Sequence, residues 1–224
     1  MEFDKSKINV AKDPVTLRCI GIMADSHGQA HKIVAALEFL CHRGCDSLYH
    51  LGDICDSGHP ETVEACVRPL QQCGVLAIKG NNDHQIDVNH RYQRNSLIPH
   101  DTLEFIRQLP LVRNYPSAVL THSLPFAQEL GLSSMIGVMG EMQINHFLRA
   151  YPHRILFRGH SHNPEIFRKQ GGKIRCQTLR IGQRFDLTDS MPCVVTCGAL
   201  TRDLCMIWRP HENVIECLRF NKIT

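Results

Sequence analysis

The sequence predicts an α/β fold in which a mixed sheet, built on strand–helix units, packs on a second, mostly antiparallel sheet. Three features carry that prediction. From residue 17, apolar runs of strand length alternate with amphipathic helical stretches. After His162 the helical pattern stops and strand-like runs follow one another. Five of the earlier runs also end in a short polar block rich in Asp, His or Asn. Alternation followed by consecutive strands, in 224 residues without a repeat or a linker, argues for one domain of layered sheets.

Leu17–Met23 reads as the first strand and leads to Asp25-Ser26-His27-Gly28. Ile33, Val34, Leu37 and Leu40 share the next helical face, and Gly44 is placed to end that helix. Ser47–Leu51 leads to Gly52-Asp53, after which Pro60 opens a helix burying Val63, Cys66, Val67 and Leu70. Val75–Ile78 leads to Gly80-Asn81-Asn82-Asp83, and a short helix with Leu103, Ile106 and Leu109 stops at Pro110. Ala118–Leu120 delivers Thr121-His122-Ser123, and Arg154–Phe157 delivers Gly159-His160-Ser161-His162. The segment between them carries a helix over Glu141–Ala150. Ile174–Leu179, Cys193–Cys197, Leu204–Trp208 and Val214–Phe220 supply the later strands. Residues 1–16 are expected to be a tail and 17–224 the single domain.

Composition narrows the function classes. No apolar stretch approaches the roughly 20 residues that span a bilayer, and Met1-Glu-Phe-Asp-Lys5 lacks a basic-then-apolar secretory pattern. A soluble, cytoplasmic protein is expected. The 11 cysteines are odd in number, lie partly inside apolar runs and form no Cys-x-x-Cys pair, so reduced thiols are expected rather than staples. A net charge of +3 is too small to require nucleic acid. Histidine is the outlier, at 14 residues.

Strand C-termini in open α/β sheets line up along one edge, where ligands bind. The polar blocks therefore converge, and they bring together Asp25, His27, Asp53, Asn81, His122, His160 and His162. Carboxylate and imidazole donors together suit manganese, iron, zinc, nickel or cobalt better than calcium. Each block alone is a weak signal; all five, in order and each at a strand end, form a strong one.

In these blocks the sequence resembles the calcineurin-like metallophosphoesterases, whose pattern runs Asp-x-His, Gly-Asp, Gly-Asn-x-Asp/Glu, His and Gly-His-x-His. The resemblance spans residue 17 to about residue 220. It implies a two-sheet β-sandwich flanked by helices, in a four-layer architecture. It also implies two divalent ions, manganese favoured: one on Asp25, His27, Asp53 and His162, the other on Asp53, Asn81, His122 and His160. Asp53 would bridge them. The implied reaction is hydrolysis of a small phosphorylated substrate by a hydroxide shared between the metals, without a phosphoenzyme.

One position departs from many relatives. Asn82 stands where they carry histidine, and an amide cannot serve as general acid at neutral pH. That favours phosphodiesters, or esters with good leaving groups, as in the small phosphodiesterase-like branch. His84 or His59 is a candidate replacement acid; Asp56 and Asp83 are candidate supporting residues. Leu124–Gly140 could cover the site or extend the core, and His90, Arg91 and Arg94 could meet a second phosphate or form a solvated face. Two alternatives remain at this stage: a nuclease of the same fold, and a non-catalytic protein-binding scaffold.

Overall fold

The computed structural model describes residues 13–93 and 96–220. Most of the expected tail, residues 1–12, lies outside the described residues, as does Arg94. Pro14–Thr16 forms a 3-10 turn capped by Asp13, whose carboxylate also accepts from the backbone N–H of Ser117 at 3.1 Å.

The described strands are β1 (Ile20–Met23), β2 (Ser47–His50), β3 (Leu76–Ala77), β4 (Val112–Asn114), β5 (Ala118–Thr121) and β6 (Ile155–Arg158). After them come β7 (Glu165–Gln170), β8 (Lys173–Thr178), β9 (Arg184–Asp186), β10 (Cys193–Thr196), β11 (Leu204–Arg209) and β12 (Val214–Arg219). The helices are α1 (Ala30–His42), α2 (Val63–Gln72), α3 (Asn81–His90), α4 (His100–Gln108), α5 (Ala127–Leu130) and α6 (Glu141–Ala150).

Two six-stranded sheets result, in the orders β3-β2-β1-β11-β12-β9 and β4-β5-β6-β10-β7-β8. The first sheet is mixed, as expected, and late strands make it so. The strands after His162 do not make a second sheet of their own; β11, β12 and β9 extend the first sheet, while β10, β7 and β8 extend the second. Each sheet thus joins a parallel part, β1–β2–β3 or β5–β6–β10, to antiparallel neighbours. The physical reason lies in the connections: a hairpin can add to whichever edge is free, whereas a parallel neighbour needs a crossover.

Burial on both faces explains why the parallel strands read as unbroken apolar runs. Ile20 and Ile22 point between the sheets, while Cys19 and Met23 point to the helices. The inter-sheet core holds Tyr49, Leu51, Phe157, Met206 and Trp208 among others, and Phe157 packs on Trp208 with ring centroids 4.9 Å apart. Each such side chain contributes about 1.5–3 kcal/mol when fully buried. Helices α1, α2 and α4 cover the outer face of the first sheet through Ile33, Leu40, Val67, Leu70 and Ile106. Helix α6 covers the second through Ile144, Phe147 and Leu148, against Val119, Leu156 and Val194. The layers run helix, sheet, sheet, helix.

Val34 departs from its expected place on the buried face of α1; it is 40% exposed, and Ala36 is buried instead. Helix α3 was not foreseen, because Asn81–His90 has almost no apolar periodicity and buries only Asp83, Ile86 and Asp87. All 11 cysteines carry free thiols. Among the described residues, no helix is long and apolar enough to cross a membrane.

Candidate metal centre

The polar blocks meet at the rim where β1, β2, β3, β5 and β6 end. Four consecutive amides of the first block bind carbonyls of the second: Asp25 N–H donates to Gly52 O at 3.0 Å, Ser26 and His27 to Asp53 O at 2.9 and 3.0 Å, and Gly28 to Ile54 O at 3.1 Å. Ser26 Oγ donates to Ile54 O at 3.1 Å and so accepts from His50 Nε2 at 3.0 Å. Burial pushes that imidazole down to about 3, so His50 stays neutral.

Seven described non-glycine residues have positive φ, and five of them are Asp25, His27, Asp53, His160 and His162. Such a backbone costs on the order of 1–2 kcal/mol per residue. It persists only where surrounding hydrogen bonds over-determine it, and it concentrates at functional sites.

The side chains form two linked groups. In one, His27 Nε2 and His162 Nε2 lie 3.2 Å apart, with Asp53 Oδ2 at 3.7 Å from the first and Asp25 Oδ1 at 3.5 Å from the second. In the other, His122 Nε2 sits 3.1 Å from both Asn81 Oδ1 and His160 Nδ1, and 3.6 Å from Asp53 Oδ1. Asp53 faces both groups. His122 Nδ1 lies 2.8 Å from Leu51 O, so its ring proton belongs there and its Nε2 presents a lone pair to Asn81 Oδ1.

Burial, with smaller effects from His122 and Arg158, holds His160 down to about 4 and keeps it a neutral donor atom. Burial alone would raise the Asp25 carboxyl, but the His162 hydrogen bond holds it below its usual range. Ligand atoms of Asp25, His27 and His162 lie within 4.8 Å of one another, as do those of Asp25, Asp53 and His122, and either group could hold a divalent cation. Asn81 and His160 adjoin His122, so all seven expected residues are brought to one rim.

The other singled-out residues take distinct places. Asn82 donates from its backbone to Asp53 Oδ1 at 2.9 Å and from Nδ2 to Asp53 Oδ2 at 2.8 Å, while its own Oδ1 accepts from Ser57 Oγ at 3.0 Å. It therefore aims the shared carboxylate. Asp56 caps its own loop by accepting from Gly58 N at 2.9 Å. His59 is exposed and pairs with Glu61 at 3.0 Å. His84 is half-buried on α3, one turn beyond Asn81. Arg91 is bonded to Asp87, which also draws in Lys79 and Arg107.

Asp83 does more than its position in the motif announces. Its carboxylate accepts from Cys55 N and Gly80 N, both at 2.9 Å, so the loops after β2 and β3 hang on one side chain. Burial first, and the Asp53 charge second, raise it to about 6. Asp83→Ala leaves two buried amides unpaired, at about 1–3 kcal/mol each. The variant is expected to lose that much stability in urea denaturation; a loss under about 1 kcal/mol would show that the loops hold themselves.

The sequence profile of the calcineurin-like phosphoesterase superfamily domain matches residues 19–182, well over half the chain. The chain belongs to the calcineurin-like phosphoesterase superfamily. Solved structures agree with this membership at the level of fold. A metallophosphoesterase from Sphaerobacter thermophilus superposes with a TM-score of 0.72 at 18% identity, covering 91% of this chain and 88% of that one. A hypothetical protein from Pyrococcus horikoshii gives 0.60 at 13% identity, covering 90% and 87%. A comparison with curated proteins finds no match. Membership in the calcineurin-like phosphoesterases makes the rim of strand ends the place to seek the reaction.

Proposed function

We propose that this protein is a metal-dependent phosphoric ester hydrolase for small substrates, with phosphodiesters favoured over phosphomonoesters. One divalent ion is assigned to Asp25, His27, Asp53 and His162, and a second to Asp53, Asn81, His122 and His160. The observation that carries the reading is the convergence of ligand atoms, those of Asp25, His27 and His162 and those of Asp25, Asp53 and His122 each lying within 4.8 Å of one another. Manganese is the favoured metal, with iron, zinc, nickel and cobalt as the other candidates. Eleven free thiols suit a reducing, cytoplasmic setting.

Bound divalent ions would supply Lewis acidity toward phosphoryl oxygens and a water acidic enough to lose its proton near neutral pH. The protein's own groups prepare that chemistry. Asp25 and Asp53 return two negative charges, which leaves a site carrying two divalent ions net positive and attractive to phosphate. Asn82 fixes both oxygens of Asp53, and the Leu51 carbonyl fixes the His122 tautomer. The hydroxyls of Ser26 and Ser123 both donate to backbone carbonyls, of Ile54 and Gly137 respectively. They are tied into loops, which favours direct hydrolysis over a phosphoenzyme. The amide of Asn82 is likewise committed, so that position gives no proton to a departing oxygen.

Stripping the metal and reloading manganese tests the reading. Turnover of bis-p-nitrophenyl phosphate is expected to fall at least 100-fold without metal and to exceed that of p-nitrophenyl phosphate with it (on the order of the effect of removing electrostatic stabilisation). Undiminished turnover by metal-free protein would refute the assignment. A faster monoester would reverse the substrate preference.

A further inference from the structure

Helix α3 and the 131–136 segment enclose a cleft of about 430 Å³ that opens beside Asn81. Its volume lies within the range of small-molecule sites, roughly 300–1,000 Å³. Asn81, His84 and Gln85 form one wall, neighbours on a single helical face. Leu132, Met135 and Ile136 form the other. Leu132 and Ile136 are 52% and 61% exposed, so aliphatic surface is left uncovered next to a strongly polar centre.

This wall is built in advance. Leu124 N–H donates to Ser134 O at 2.8 Å, Ser134 Oγ to Gly131 O at 2.7 Å, and Ser123 Oγ to Gly137 O. The segment is thereby tied to the same strand end that presents His122. None of the residues lining the cleft is Asp, Glu, Lys or Arg. Burial, with Lys79 adding to it, pushes the His84 imidazole below its usual range, so that wall is neutral at physiological pH. Among the described residues lining the cleft, a second phosphate or a carboxylate would find no Lys or Arg. A flat, uncharged group with hydrogen-bonding edges would stack on the aliphatic wall and meet amides and an imidazole opposite.

We propose that the cleft receives an uncharged heterocyclic ring joined to the phosphoryl group of the substrate, so that the substrate class is esters of nucleosides or of similarly sized heteroaromatic alcohols. This deepens the phosphoesterase reading and rests on it. Asn81, shared between the cleft and the His122 group, sets the distance between ring and phosphorus.

Calorimetric titration of manganese-loaded protein with thymidine 5′-monophosphate and with methyl phosphate tests the assignment. Hydrolysis of thymidine 5′-(p-nitrophenyl phosphate) and methyl p-nitrophenyl phosphate is measured alongside. The nucleotide is expected to bind at least tenfold more tightly, and its diester to show a matching advantage in kcat/KM. Ile136→Asp, at an exposed position, should reduce both advantages to less than threefold. Met142→Asp, 79% exposed and outside the cleft, should leave both advantages intact. Equal binding of the two ligands, with both diesters turned over, would overturn the cleft assignment and leave the phosphoesterase standing. No turnover of either diester would overturn the phosphoesterase reading and the substrate assignment with it.

Discussion

Asp53→Asn is expected to reduce kcat by about 1,000-fold or more, equivalent to roughly 4 kcal/mol of transition-state stabilisation, while the protein stays folded. Asp53 is the carboxylate that faces both histidine groups, 3.7 Å from His27 Nε2 and 3.6 Å from His122 Nε2. An asparagine keeps its shape but removes the negative charge and turns one oxygen into a donor. That donor would confront the Asn82 backbone N–H or the Asn82 Nδ2, which now donate to Asp53 at 2.9 and 2.8 Å. Both proposed ions lose a ligand in one substitution, so bound manganese measured by elemental analysis should fall from two equivalents to one or fewer. The fold is spared because Asp53 carries no core packing, and its removal relieves the repulsion that raises Asp83. Retention of more than a tenth of the turnover would remove Asp53 from the centre of the site.

Gly80→Ala is expected to be the most damaging single-methyl change near the rim. Gly80 has an ordinary backbone, with φ −93° and ψ 177°, so conformational freedom is not what it supplies. Space is. A Cβ there would sit 2.1 Å from Asp53 N and 2.3 Å from Asp53 Oδ1. Neither atom can retreat cheaply, because the Asp53 carboxylate is held by Asn82 and its carbonyl by Ser26 and His27. Overpacking of this kind costs about 1–3 kcal/mol and more where backbone must move. Gly74→Ala is the matched control: φ is +61° but nothing lies within 4 Å, so only the left-handed backbone penalty of about 1–2 kcal/mol applies. In urea denaturation Gly80→Ala should exceed Gly74→Ala, and its activity should disappear while that of Gly74→Ala persists. Equal stability and activity of the two variants would mean that the loops after β2 and β3 yield freely.

Much of this was legible in the sequence where burial is simple. β1, β2, β5 and β6 are covered on both faces, so each reads as an apolar run, and a polar block follows directly on it. The hydrophobic faces of α2 and α4 follow helical period and are read from it. Helix α3 was not, since it starts on Asn81 and holds its place through Asp83 and Asp87 rather than an apolar stripe. Strands β4, β7 and β9 are partly exposed and carry many charges, so they give weak alternation. Which sheet a late hairpin joins depends on free edges, not on local residues. The Leu51 carbonyl that orients His122 is backbone and leaves no mark in the side-chain pattern.

The division of the late strands between the two sheets has a consequence for how the chain is made. Strand β1, which presents Asp25 and His27, lies between β2 and β11, and its Ile20 is paired with Trp208. Synthesis proceeds from the N-terminus, so β1 waits with one edge open until β11 has emerged. Long-range pairings of this sort slow folding and leave a strand edge available to other chains in the interval. The reaction centre is therefore among the last parts to be locked. Leu200 N–H donates to Ala24 O at 2.8 Å and Thr201 N–H to Asp25 O at 3.2 Å, so the turn that leads into β11 closes directly over the first of the polar blocks.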